Sequence, residues 1–298
     1  MLRFSGHDTF HCKEQWLLKG IQLIEQQGDA NALKKESAIS KLGVGKNMVR
    51  SIQHWLKAFD LANEEDGSLK PLSHLIFISE ELDPYLENEN SLWILQYHLC
   101  AHKYASIFHL IFSEYFLKKA SLEFTESQVI AFLERKIADE NHRKTSPKTL
   151  SADFKVFVKT YLVADKNYRN IEDDFSAPLL GLNLLKETGK RNSQNERVFR
   201  INRNEQEGLS EEVFAYGILI HFPDEVSLGL DRIRNTVSAY FCLSNEGLEL
   251  KISNLCNKYP DHFVYKEDAG IKQLQIKKNE EAIRMNFLKR SYDYVLHS

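Results

Sequence analysis

Three short stretches of this chain hold side chains that could do chemistry. The first, Phe-Ser-Gly-His-Asp-Thr-Phe-His-Cys, gathers His7, Asp8, Thr9, His11 and Cys12 near the start. A cysteine–histidine nucleophile needs an orienting third group and an oxyanion donor, and nothing in this segment marks either. A ligand or phosphate contact by His7, Asp8 and Thr9 is the better reading, and Asp8 or Thr9 could also cap a first helix. The second stretch is Gly43-Val44-Gly45-Lys46. A phosphate loop requires a glycine five residues before the Gly-Lys and a hydroxyl after it. Ser40 and Asn47 occupy those positions, so the glycines read as a turn. The third is His98-x-Cys100-x-His102, two imidazoles one helical turn apart. Cys100 points elsewhere and no carboxylate continues the face, so a core helix is expected and no metal site. No motif calls for a cofactor.

The elements that must position these groups follow from periodicity. Trp16, Leu17, Gly20, Ile21 and Ile24 predict an amphipathic helix ending near Gly28. A second helix is expected over Leu33 to Leu42. Asn47 is taken as the cap of a third, in which Met48, Ile52, Trp55, Leu56 and Phe59 form one apolar face. The opposite face offers Lys46, Asn47, Arg50, Gln53, His54 and Lys57, a mixture of phosphate-neutralising and base-reading groups. From Lys34 to Lys57 there are six basic residues against the single acid Glu36. Asp66-Gly67 then predicts a hairpin. Helix, glycine turn, helix and hairpin is the order of a winged helix, with Val44 packed beneath the turn.

The same apolar spacing recurs at Leu150, Phe154, Phe157, Val158 and Tyr161, after a Ser146 cap and Pro147 at the first helical position. Lys148, Lys155 and Lys159 take the offsets of Lys46, Gln53 and Lys57. Arg197, Arg200 and Arg203 follow in a strand-like run and read as a basic wing. Thr125 and Gln128 form a capping signal for the helix before it. A third occurrence lies at Leu248, Ile252, Leu255, Cys256 and Tyr259, with Glu246, Leu250, Ser253 and Asn257 outward. That face is not basic, so the third module is assigned to protein contacts or to structure.

Composition sets the frame. With 298 residues, 43% hydrophobic and 27% charged, the chain suits a folded protein of two or three modules. The net charge of −3 argues against a polycation but permits local basic faces. The start lacks the zones of a signal peptide and no apolar run is long enough to span a bilayer, so a cytoplasmic location is expected. Four cysteines without Cys-x-x-Cys spacing read as buried thiols.

Four blocks, Phe-Ser-Gly-His-Asp-Thr-Phe at residues 4–10, Leu42 to Leu56, Asp83 to Leu99 and Thr149 to Leu162, make the chain resemble the bacterial domain-of-unknown-function family 4007. Members of that family are typically found beside a phosphoadenosine-phosphosulfate-reductase-like protein, in neighbourhoods linked to DNA phosphorothioation and anti-phage defence. The resemblance implies that context and supplies no catalytic residues.

The reading is therefore a mainly α protein with small β-hairpins, built as tandem winged-helix modules over 1–85, 86–210 and 211–298. It is expected to be non-enzymatic and to bind duplex DNA, plain or modified. Expected partners are proteins of a defence or sulfur-transfer system, with a homodimer also open. A scaffold for a sulfur-transfer or nuclease partner and a transcriptional regulator are the alternatives.

Overall fold

Gly43, Val44 and Gly45 form a turn between two helices. The computed structural model describes residues 2–79, 82–117, 119, 121–140, 145–162, 177–268 and 270–293. Helix α1 (Glu14–Gln27) leads through a short 3₁₀ turn (Ala32–Lys34) to α2 (Ser37–Leu42) and α3 (Lys46–Ala58). Gly43 closes α2 at φ 66°, a left-handed conformation that costs glycine nothing, and its amide donates to the Ile39 carbonyl at 3.0 Å. Ile52, Trp55, Leu56 and Phe59 of the expected apolar set are buried, with Met48 and Val44 packed against the core.

Several local expectations give way to tertiary contacts. The second helix begins only at Ser37. Gly45, not Asn47, precedes α3, and Asn47 instead accepts a hydrogen bond from Arg50 within the first turn. Asp8 and Thr9 cap nothing, because α1 starts after Lys13 and both residues lie upstream in left-handed backbone. The Asp66-Gly67 hairpin shrinks to a single antiparallel bridge, Ala62 to Leu69. The apolar run after it is helical, α4 (Pro71–Ser73) continuing as a π-turn (His74–Ile78), with Leu72, Leu75, Ile76 and Phe77 buried. A short apolar run fits either a buried strand or a buried helix, and here the helix is formed.

Two long core helices come next, α5 (Glu89–Ala101) and α6 (Ser106–His109, extended as a π-turn to Tyr115), broken at Lys103 with φ 62°. Strand β1 (Glu123–Phe124), α7 (Glu126–Asp139), α8 (Pro147–Tyr161) and the hairpin β2 (Leu185–Arg191) and β3 (Arg197–Ile201) follow. Both predicted caps form: the Gln128 side chain accepts from the Thr125 amide at 3.2 Å, and Ser146 Oγ accepts from the Thr149 amide at 3.1 Å. Helix α9 (Glu211–His221), β4 (Ser227–Gly229), α10 (Leu230–Ile233, extended to Ser238), α11 (Asn245–Lys258) and the hairpin β5 (Phe263–Asp268) and β6 (Ile271–Ile276) repeat that order, and α12 (Glu281–Arg290) returns against α9. The two sheets are antiparallel and ordered β1-β3-β2 and β4-β6-β5. The chain is thus mainly α-helical with small β parts. Helix, strand, helix, helix, hairpin, with the last strand inserted centrally, occurs twice.

Helix α5 is the hub. Gln96 accepts from the Tyr161 hydroxyl of α8 at 2.5 Å and donates to the Tyr240 carbonyl at 2.9 Å. Two residues on, His98 Nδ1 faces Asp60 at 3.2 Å and Nε2 faces the Tyr216 hydroxyl of α9 at 2.9 Å. One continuous core runs from Cys12 to Tyr292, and Cys12, Cys100 and Cys242 are buried free thiols while Cys256 is half-buried. Among the described residues, no helix is long and apolar enough to cross a membrane.

Burial also sets the pH response. It is the leading cause that holds His54 at about 3, and His109 and His221 at about 4, against an ordinary value of 6.5. Between those values the unfolded chain binds protons that the folded chain refuses, so stability falls as pH drops below about 6.5. The melting temperature is expected to decline from pH 7.5 to pH 5. The slope is expected to be shallower for His54→Gln, and an equal slope would contradict this account.

Candidate nucleic-acid interface

Helix α3 presents Lys46, Asn47 and Arg50 to solvent, joined by exposed Lys34, Lys35 and Lys41 from the preceding turns. Gln53 is half-buried on the same stripe. Lys57, the next member, is half-buried too, and its amine donates to the Glu64 carbonyl at 2.5 Å, so it closes a loop rather than reaching outward. Arg50 is oriented from two sides. Its Nη2 donates to Asn47 Oδ1 at 2.6 Å, and its Nε lies 3.3 Å from Asp8 Oδ2.

His54 departs from the expected set. It is 5% exposed, ringed by His7, Trp55 and Tyr104, and cannot meet a base edge. The amino-terminal segment covers that flank of α3. Gly6, at φ 96°, lies so close that a Cβ there would sit 2.8 Å from His54 Nδ1. His7 is likewise turned inward: it is 5% exposed, its Nδ1 accepts from the Thr9 amide at 3.1 Å, and its Nε2 donates to Asp153 Oδ1 at 2.9 Å. The Ser5 amide lies 2.9 and 3.1 Å from the two oxygens of the same carboxylate. Thr9 serves the turn. Asp8 alone of the three reaches the basic face.

Asp153 belongs to α8, so one buried carboxylate ties the start of the chain to the second basic helix. On α8, Lys148, Lys155 and Lys159 are all exposed, as their offsets require. The arginines separate. Arg200 is exposed on β3, whereas Arg197 forms a paired contact with Glu187, with Nε to Oε1 at 2.8 Å. Arg203 lies beyond the strand, donating to the Phe112 carbonyl at 3.1 Å and stacked over Phe116, which makes it a structural cation. Periodicity missed Lys186 and Arg191, exposed on β2 and paired in register with Arg200 and Arg197. The turn residues Asn192 to Asn195 were the available signal, since a hairpin there places Arg191 opposite Arg197.

The third helix of the series differs. Glu246, Leu250, Ser253 and Asn257 are exposed on α11, and Leu250 is the large apolar member. The apolar set beneath them is buried or half-buried, as in α3 and α8.

The architecture has known counterparts. A solved structure described as the SspB crystal structure superposes with a TM-score of 0.82 at 20% identity, covering 99% of this chain and 89% of that one. A magnesium ion-bound SspB crystal structure gives the same TM-score at 21% identity and the same coverage. Comparison with proteins of curated function finds no match. The chain belongs to the family described as protein of unknown function (DUF4007), whose model matches residues 4–292.

Removing the shared carboxylate tests the anchor. Asp153→Ala strands the buried donors of His7 and Ser5 and is expected to cost about 1–3 kcal/mol of stability. Amide exchange over residues 5–9 should quicken at the same time. Unchanged exchange there would show that the segment is held by other contacts.

Proposed function

We propose that this protein is a duplex-DNA-binding subunit of a bacterial DNA-modification or defence system, built as three winged-helix modules over 1–85, 86–210 and 211–298. The observation that carries the reading is the recurrence, on α3 and α8, of an exposed cationic stripe above a buried apolar face. An α-helix fits the major groove, where exposed lysines and arginines neutralise phosphates and Asn or Gln reach base edges. The strand order β1-β3-β2, with the hairpin beside α8, supports a wing that follows the backbone. The contact set is Lys46, Asn47, Arg50 and Gln53 in the first module and Lys148, Lys155, Lys159 and Arg200 in the second. The defence or modification context rests on the family resemblance.

A second reading concerns the third module alone. Its outer stripe has no cation and carries Leu250 at 43% exposure, which supports a protein contact there rather than a phosphate contact.

Affinity for a mixed-sequence duplex, measured by anisotropy across a salt series, tests the DNA reading. The logarithmic slope is expected to be steep, and Arg50→Ala should flatten it by about one. A flat profile, or an Arg50→Ala slope equal to that of the unmodified protein, would defeat the assignment. The same samples on supercoiled plasmid with magnesium report whether strand scission accompanies binding. Asp8→Ala removes a carboxylate that competes with phosphate for Arg50, so duplex affinity is expected to rise severalfold. A loss of affinity would instead make Asp8 a positioning group for that arginine.

A further inference from the structure

Between α8 and the β2–β3 hairpin lies a pocket of about 380 Å³. Phosphate contact along a helix needs no cavity, so this one asks for a separate occupant. Its apolar walls come from Phe154, Val158, Leu162 and Phe199. Lys155, Lys159, Arg191 and Arg197 also line it, and the first three are exposed at its edge. Arg191 and Arg197 stand directly opposite each other across the hairpin and concentrate positive charge at this edge. Glu187 pairs with Arg197 and also feels the charge of Arg191.

Two carboxylates restrict the choice further. Glu126 accepts from Ser151 Oγ at 2.5 Å, and Glu196 accepts from Ser127 Oγ and Asn192 Nδ2, both at 2.7 Å. A bare anion would meet these acids, whereas an amphipathic ligand can keep its charge on the cationic edge and its flat part against the phenyl walls. The volume lies within the range of small-ligand sites.

We infer that this pocket takes one nucleotide, its base on the apolar walls and its phosphate on the lysine and arginine edge. The nucleotide comes either unstacked from a DNA strand or free from solution, and the first source rests on the DNA-binding reading. Proteins that receive an unstacked base hold it between aromatic or apolar side chains, and they favour sites where the base is already unpaired, because less pairing energy is lost.

Val158→Trp fills the pocket and leaves every proposed duplex contact, including Lys155 and Lys159 at its edge, unsubstituted, and a circular dichroism melt checks its fold. Three titrations are run on the unmodified protein and on this variant: a matched duplex, the same duplex with a central mispair carrying 2-aminopurine, and free dAMP. For a strand-derived nucleotide, the mispaired duplex is expected to bind about tenfold tighter than the matched one. The 2-aminopurine emission should rise on binding, and Val158→Trp should abolish both effects while matched-duplex affinity stays. For a free nucleotide, dAMP binds the unmodified protein and not the variant, with no mispair preference. Neither a mispair gain nor dAMP binding, or either one surviving Val158→Trp, overturns the inference. A protein that binds no duplex but does bind dAMP through this pocket would refute the DNA reading and leave the pocket assignment standing. If Val158→Trp fails to fold, Leu162→Trp replaces it from the same wall, one helical turn further on.

Discussion

The arrangement depends on one buried carboxylate. Asp153, on the second basic helix, receives His7 and the Ser5 amide from the far end of the chain, both within 3.1 Å. That contact lays the amino-terminal segment across the flank of α3, where the Trp55 indole donates to the Phe10 carbonyl at 3.1 Å. The segment can follow this path only through left-handed backbone at Ser5, Gly6, Asp8 and Thr9. Such conformations persist where surrounding contacts over-determine them, and here the contacts are the buried hydrogen bonds. The relative placement of the two basic helices is therefore bonded through the core rather than left to a linker.

Helix α5 extends the same principle to the third module. Burial alone would raise Asp60, yet the hydrogen bond from His98, with Lys70 and His102, holds it well below the usual carboxylate range. Its ionised form fixes the His98 tautomer, with Nδ1–H donating and Nε2 accepting from Tyr216. The tempting histidines divide the work: His98 bridges Asp60 and Tyr216 of α9, while His102 stays with Asp60 and Glu64. Local stripes of charge sit on a frame of shared buried polar contacts, each satisfied by a residue distant in sequence.

What could be read from residues alone was whatever depends on neighbours along the chain. The apolar spacing located α3, α8 and α11, Ser146 and Thr125 marked real caps, and Gly43 marked a real turn. What could not be read depends on distant partners. His54 lies only slightly off the outer stripe of α3, and it is buried because residues 4–10 fold over it. His7 and Asp8 looked like ligands, since nothing nearby announced an acceptor 146 residues away. The run from Pro71 to Ile78 has the composition of a strand and packs as a helix because every apolar side of it finds core. Arg197 and Arg203 were counted as phosphate contacts from composition, yet partners in β2 and α6 engage them.

The proposed function implies a division of labour: α3 and α8 present cationic outer stripes, whereas the equivalent stripe of α11, Glu246, Leu250, Ser253 and Asn257, carries no cation. Amide hydrogen exchange with and without a duplex tests that division most directly. The account expects DNA to slow exchange across residues 46–57 and 148–159 and the β2–β3 hairpin, with 245–258 unaffected. Protection centred on 245–258, or none on α3 and α8, would contradict it.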